Sequence, residues 1–363
     1  MISVNDRLVS EAISHAVDLD QYGTGVVRRM LALLNRVDAD LFAQLTAALG
    51  NLDAESFTVE RLESLLMSVR TMHAQAYLQL ERALTNELRE FVAAEWGYQQ
   101  QLLPSVGVPL SFGTGVATAE QVYAAAMSRP FQARLLSEWA SGIEAQRMTR
   151  IRDAVRIGYV ENESVQQIVR RVRGTRAAGY TDGLIEIDRR HAEAVVRTAV
   201  QHVAAVAQDR MIEANLDLIK AVQWHAKLDL RTSPTCRVRD GLLYTPDTHK
   251  PIGHKVPWLS GPGRSHWNCR SLAVQMLKSF EEVTGIAGVG EIPVGTRASM
   301  DGALPADLTY GQWLQKQSAA RQDEVVGPTR GALMREGKLP FDELYSRRGE
   351  MLTLDQLRER NGA

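Results

Sequence analysis

An apolar repeat of three to four residues runs through most of the first ~225 residues and restricts the fold more than any other feature of the chain. From Val4 to about Leu49, residues such as Val26, Met30, Leu33, Leu34, Val37 and Leu41 return to one helical face. A polar break over Asn51–Ser56 precedes a second run from about Val59 to Trp96, with Leu62, Leu65, Leu66, Val69 and Met72 on one side and Glu and Arg between them, as a solvated helix requires. The stretch LPSVGVPLSFGTG, Leu103 to Gly115, reads as a linker because its Pro and Gly residues punctuate regular structure. Thr118 is placed to cap a further helix, which Pro130 interrupts and Leu136, Trp139, Ile143, Ile151 and Val155 continue.

One segment, NESVQQIVRRVRG, specifies its helix at both ends. Ser164 and Gln167 form a capping box, Val165, Ile168, Val169 and Val172 make the buried stripe, and Gly174 stops the helix. Arg170, Arg171 and Arg173, with Arg176 beyond, suit the negative end of the helix dipole. That cluster reads first as a solvated helix end and second as a surface for DNA backbone. Asp188 is expected to cap the next helix, with Val196, Val200 and Val203 inward and with His191 and His202 at its core edge or surface.

Near Ala221 the period changes from 3.6 to 2. In AVQWHAKLDLRTSPTC, Val222, Trp224, Ala226 and Leu228 fall on one side of a strand. GLLYTP and RSLAVQML are further short strands, separated by a loop heavy in Pro, Gly and His. Trp224, Trp258 and Trp267 are the expected anchors of this small core. Helix returns from Tyr310 to Glu336, and LTLDQLRER closes the chain. The expected fold class is α+β, predominantly α: a long N-terminal helical region, then a small β-containing Cys/His domain, then a helical C-terminal tail. The expected segments are residues 1–102, a linker at 103–117, helical 118–220, the β-containing core at 221–280, and a loop-rich and helical tail at 281–363.

A net charge of −1, from 42 Lys and Arg against 43 Asp and Glu, supplies no global attraction to nucleic acid or an anionic membrane. No window nears the ~18 uncharged apolar residues of a membrane span, and the N-terminus lacks a secretory pattern, so the expectation is a soluble intracellular protein. The phosphate-cradling, dinucleotide, HExxH and GxSxG motifs are missing from the sequence.

Both cysteines lie in the β-containing region, Cys236 in RTSPTCRVRDG and Cys269 in GRSHWNCRS. Cys236, His266 and Cys269 are residue types that bind Zn²⁺, and His-x-x-Cys sets two donors on one turn. His249, His254, Asp240 and Asp229 are candidates for a fourth ligand. Three other readings stay open on the residues alone: a Cys236–Cys269 disulfide, two reduced cysteines packed in a loop core, and a Cys269–His266 thiolate–imidazolium nucleophile.

WHAKLDLRTSPTCRVRDGLLY followed by GPGRSHWNCRS resembles the core of phage Mu F-like minor head proteins, the tailed-phage head-morphogenesis family. The residues that carry the resemblance are Asp229, Arg231, Thr232, Cys236, Asp240, Gly241, His266, Asn268, Cys269 and Arg270, with Arg197 and Thr198 on the preceding helix. The segment from Thr309 to Leu339 is similar to the tail of many such proteins. The resemblance covers roughly Glu120 to the C-terminus. It implies a minor capsid protein that is not an enzyme. Such a protein is assembled into the virion in the host bacterial cytoplasm and works in head morphogenesis with the portal and major capsid proteins. Contact with packaged DNA, and ejection with it as in some relatives, are also implied. The resemblance further implies a structural zinc at Cys236, His266 and Cys269. The alternative is a phage-borne effector, such as an ADP-ribosyltransferase.

Overall fold

A computed structural model describes residues 4–50, 59–108, 117–161, 163–279, 296–305 and 308–361. Among the described residues six helices precede the first strand: α1 (Val4–Gly50), α2 (Val59–Ser105), α3 (Ala119–Ser128), α4 (Leu136–Val160), α5 (Val165–Arg173) and α6 (Leu184–Ala214). Strand β1 (Ile219–His225) is followed by the one-turn helix α7 (Pro234–Arg237), then β2 (Leu243–Tyr244), β3 (Pro251–Ile252) and β4 (Leu272–Leu277). A hairpin of β5 (Thr296–Ser299) and β6 (Gly302–Pro305) leads to α8 (Tyr310–Gln315), α9 (Ala319–Val326), α10 (Pro328–Arg335) and α11 (Leu354–Asn361). The chain is therefore α+β and predominantly α. No helix among the described residues is long and apolar enough to cross a membrane.

The contacts gather into two compact units that are not consecutive in sequence. One comprises residues 21–91 and 127–200, and the other residues 1–20, 92–126 and 201–363.

The first unit is helical. Its core joins Leu41, Leu45 and Leu49 of α1, Leu66 and Val69 of α2, Met148, Ile151 and Val155 of α4, Ile168 and Val172 of α5, and Ile185 of α6. The capping box of α5 is formed as its sequence dictates, with Ser164 accepting from the Gln167 N–H and Gln167 accepting from the Ser164 N–H. Gly158 lets α4 and α5 approach closely, since a Cβ there would lie 2.4 Å from Ile168 Cγ1. Asp188 departs from its expected role. Helix α6 begins at Leu184, because Leu184 and Ile185 belong to the apolar core, and Asp188 is consequently inside the helix and buried. Its carboxylate accepts from Arg150 at 2.6 Å, beside a buried ion pair between Arg147 and Asp38.

The second unit holds a four-stranded antiparallel sheet in the order β3-β2-β1-β4. β1 is central because it is apolar on both faces: of its seven residues only Lys220 is exposed. Trp224 and Trp258 are buried in the core of this sheet with Tyr244, Cys236 and Cys269. Trp267 is only half-buried and stands outside that cluster. A second core is built by the C-terminal helices around Leu228, Tyr310, Trp313, Leu314, Phe341 and Leu344. His202 is buried rather than peripheral, with its ring nitrogen 3.0 Å from the Ala126 carbonyl.

Helix α2 runs past Trp96 to Ser105, with Pro104 in its last turn, where the ring removes the N–H that the Gln100 carbonyl would accept and so ends the helix. Leu103–Ser105 of the expected linker are thus helical, and residues 109–116 lie outside the described residues. The Asn51–Ser56 break also lies outside them.

Candidate metal centre

After β1 the chain turns sharply at Asp229. Its carboxylate accepts from the Arg231 N–H at 3.0 Å and the Thr232 hydroxyl at 3.1 Å. Ser233 then caps α7 by accepting from the Cys236 N–H, and Pro234 takes the first helical position, where no donor is needed. This one turn of helix points Cys236 into the sheet core, 1% exposed. Asp240 holds the end of the turn in place, accepting from the N–H of Ala226 and of Tyr310, each at 2.7 Å. Gly241 adopts φ +81°, a left-handed conformation that glycine reaches without strain, and its N–H meets the Trp224 carbonyl at 2.8 Å.

The Pro-rich excursion that follows is anchored at several points. His249 stacks on Trp258 with ring centroids 4.6 Å apart, and His254 Nε2 lies 2.9 Å from the Leu243 carbonyl. Arg239 donates to the carbonyls of Pro257 and Thr235, at 2.9 and 2.7 Å. The return through His-Trp-Asn-Cys reverses at Asn268, whose φ of +54° is a conformation asparagine tolerates better than most residues. Arg270 then closes the excursion with a bidentate pair to Asp229, at 2.6 and 2.8 Å.

This closure brings Cys236, His266 and Cys269 together, with one ligand atom from each residue lying within 4.8 Å of the others. His266 Nε2 is 3.1 Å from Cys236 Sγ, and the two sulfurs are 3.6 Å apart, unbonded. His266 Nδ1 sits 2.9 Å from the Trp267 carbonyl. A carbonyl only accepts, so Nδ1 carries the proton and the Nε2 lone pair faces Cys236 and the Ser233 hydroxyl, 2.7 Å away. That tautomer is the one that ligates a metal through Nε2.

The thiols are electrostatically unequal. The hydrogen bond from Cys236, helped by the N–H groups of Ser271 and Gly263 and the Ser271 hydroxyl, pulls Cys269 down to about 7 against the effect of burial. The same hydrogen bond, together with burial, pushes Cys236 well up. Burial lowers His266, but its contacts with Cys236 and the Trp267 carbonyl outweigh that and leave it raised. Of the two thiols, Cys269 is therefore the more readily ionised and Cys236 the one that keeps its proton.

Not all of the expected residues converge. His249 and His254 stay with the aromatic core, Asp240 is held by two backbone N–H groups, and Asp229 is paired with Arg270, so none joins as a fourth ligand. The Cys269–His266 nucleophile pair is not formed either: His266 addresses Cys236, and Cys269 is fully buried. Ser233, Ser271 and Tyr310 are participants that the sequence pattern does not single out. Of these, only Ser233 carries a local signal, as Ser-Pro opening a helical turn.

A predominantly helical chain with a small antiparallel sheet that clips a long loop through two cysteines and a histidine is the class these features define. The family model described as Phage Mu protein F like protein matches residues 148–274, and over that stretch the chain is similar to phage Mu F-like proteins. The match runs from within α4 to within β4 and contains the whole Cys/His cluster; the C-terminal helices lie beyond it. No curated protein and no solved structure matches the chain.

Proposed function

We propose that the chain is a minor head protein of a tailed bacteriophage. It acts in head assembly through contacts with the portal and major capsid proteins, as an interaction protein and not an enzyme. The observation that carries this reading is the Mu F-like match over a segment whose motif side chains bond to one another. Asp229 engages Arg270 and Thr232, Asp240 engages two backbone N–H groups, and Cys236 engages His266 and Cys269. Such residues build a scaffold. Mass spectrometry of gradient-purified particles tests the assignment, with the chain expected in small copy number beside portal and major capsid protein. Presence in proheads alone makes it a transient assembly factor, and absence from both particle types overturns the reading.

Within that scaffold we propose that Cys236, Cys269 and His266 Nε2 hold a structural zinc ion. Two sulfur donors and an imidazole with its lone pair turned to them suit a borderline-soft cation, and Cys269 is the thiol more ready to give up the proton that coordination displaces. Bound there, the ion would tie the Pro-rich excursion to α7 and add to folding stability. Protein purified under reducing conditions is expected to contain about one zinc per chain. Cys269→Ser is expected to lose both the zinc and thermal stability. Metal-free protein of undiminished stability sinks the zinc clip while leaving the head assignment standing.

A further inference from the structure

The four arginines near the end of α5 are not equivalent. Arg171 is neutralised by Glu161 and Glu163. Arg170, Arg173 and Arg176 instead line a cleft of about 440 Å³, together with Thr46, Val165, Val169, Thr175 and Tyr180, and no acidic residue lines it. Arg173 lies over the rings of Phe42 and Tyr180, 5.5 and 5.0 Å from their centroids, which fixes its guanidinium at the cleft wall. The guanidiniums of Arg170 and Arg176 are exposed and make no hydrogen bond or ion pair among the described residues. The carboxylate of nearby Asp182 is already taken, accepting from the Thr175 N–H at 2.7 Å and the Thr175 hydroxyl at 2.8 Å.

We propose that this cleft binds the phosphodiester backbone of duplex DNA without reading its sequence. Guanidinium forks match phosphate oxygens bidentately, and three uncompensated forks on a chain of net charge −1 form a local site rather than general basicity. Arg170 and Arg173 are separated by about 4.5 Å along the helix axis, close to the roughly 3.4 Å between successive charges on one strand. The lining sets three arginines against a single side-chain carboxamide, Gln166, a donor set weighted to phosphate oxygens over base edges, so the contacts position the duplex and do not select it. The inference stands on the cleft and is independent of the metal centre and of the head assignment.

The test is fluorescence anisotropy of a labelled duplex of about 20 base pairs with the full chain between 50 and 200 mM salt. Three phosphate contacts predict a logarithmic salt slope of about −2.7, a loss of roughly 40-fold in affinity across that range. Arg170→Gln with Arg176→Gln removes two contacts made by exposed side chains. It should reduce the slope to about −0.9, a loss of roughly 3-fold across the same range. Arg171→Gln should bind as the unaltered protein does. Equal slopes for the double variant and the unaltered protein overturn the proposal. So does displacement of the duplex by polyglutamate at equal charge concentration.

Discussion

Asp229 and Arg270 show how much one side-chain pair can organise. The pair joins the turn after β1 to the residue after Cys269, 41 positions later, and with both groups more than four-fifths removed from water it is only weakly screened. Burial raises the Asp229 carboxyl, but hydrogen bonds and charge from Arg270 prevail and hold it below the ordinary carboxylate range. A depressed folded-state pKa means that the unfolded chain binds the proton more readily. The stabilisation is therefore complete above the unfolded value near ~3.9 and is lost as pH falls through the lower folded value. Asp229→Asn is expected to cost about 2 kcal/mol near neutral pH, less than the roughly 3–5 kcal/mol of a fully buried pair because both side chains keep some solvent. It should also flatten the acid limb of the stability curve, measured by urea unfolding at pH 7 and pH 3. An unchanged acid limb would assign the acid sensitivity to other carboxylates.

At the scale of elements, α5 and α7 are short helices held by what surrounds them. Helix α5 has nine residues, too few to stand alone in water, and combines a complete capping box with the apolar stripe that Ile168 and Val172 bury. Its position depends on Gly158 of α4. Gly158→Ala forces a methyl group to within 2.4 Å of Ile168 unless the helices separate, so a loss of about 1–3 kcal/mol in thermal or denaturant unfolding is expected. The companion change Ile168→Val relieves part of the clash. A double variant no more stable than Gly158→Ala alone would show that the contact is not the cause. Helix α7 illustrates the opposite case: a four-residue turn needs no propensity when Ser233, Pro234 and a buried Cys236 hold it at both ends.

For the whole molecule, the C-terminal helices are part of the structure that forms the Cys/His turn. Leu228 is buried among them, Arg237 donates to the Val325 carbonyl at 2.8 Å, and Tyr310 donates through its N–H to Asp240 and through its hydroxyl to the Asp229 carbonyl. Ending the chain at Pro305 would uncover Leu228 and take the Tyr310 N–H donor from the buried Asp240 carboxylate. Such a truncated chain is expected to unfold at a temperature at least several degrees lower, and limited proteolysis should cut within 226–268. Resistance there equal to that of the full chain would show that the turn folds without the helices. The sequence by itself determined the long helices, the caps at Thr118 and Ser164, the alternating strand after Ala221 and the two donors of His-x-x-Cys on one turn, because periodicity and capping act within a few residues of the chain. Tertiary structure alone decided that Asp188 is buried inside a helix and that His266 addresses Cys236. It also made Cys269 the more acidic of the two thiols, kept His249, His254, Asp240 and Asp229 away from the cluster, and divided one arginine tied to glutamates from three lining a cleft. Those outcomes rest on burial and on contacts between residues far apart in sequence, where no local pattern records which donor meets which acceptor.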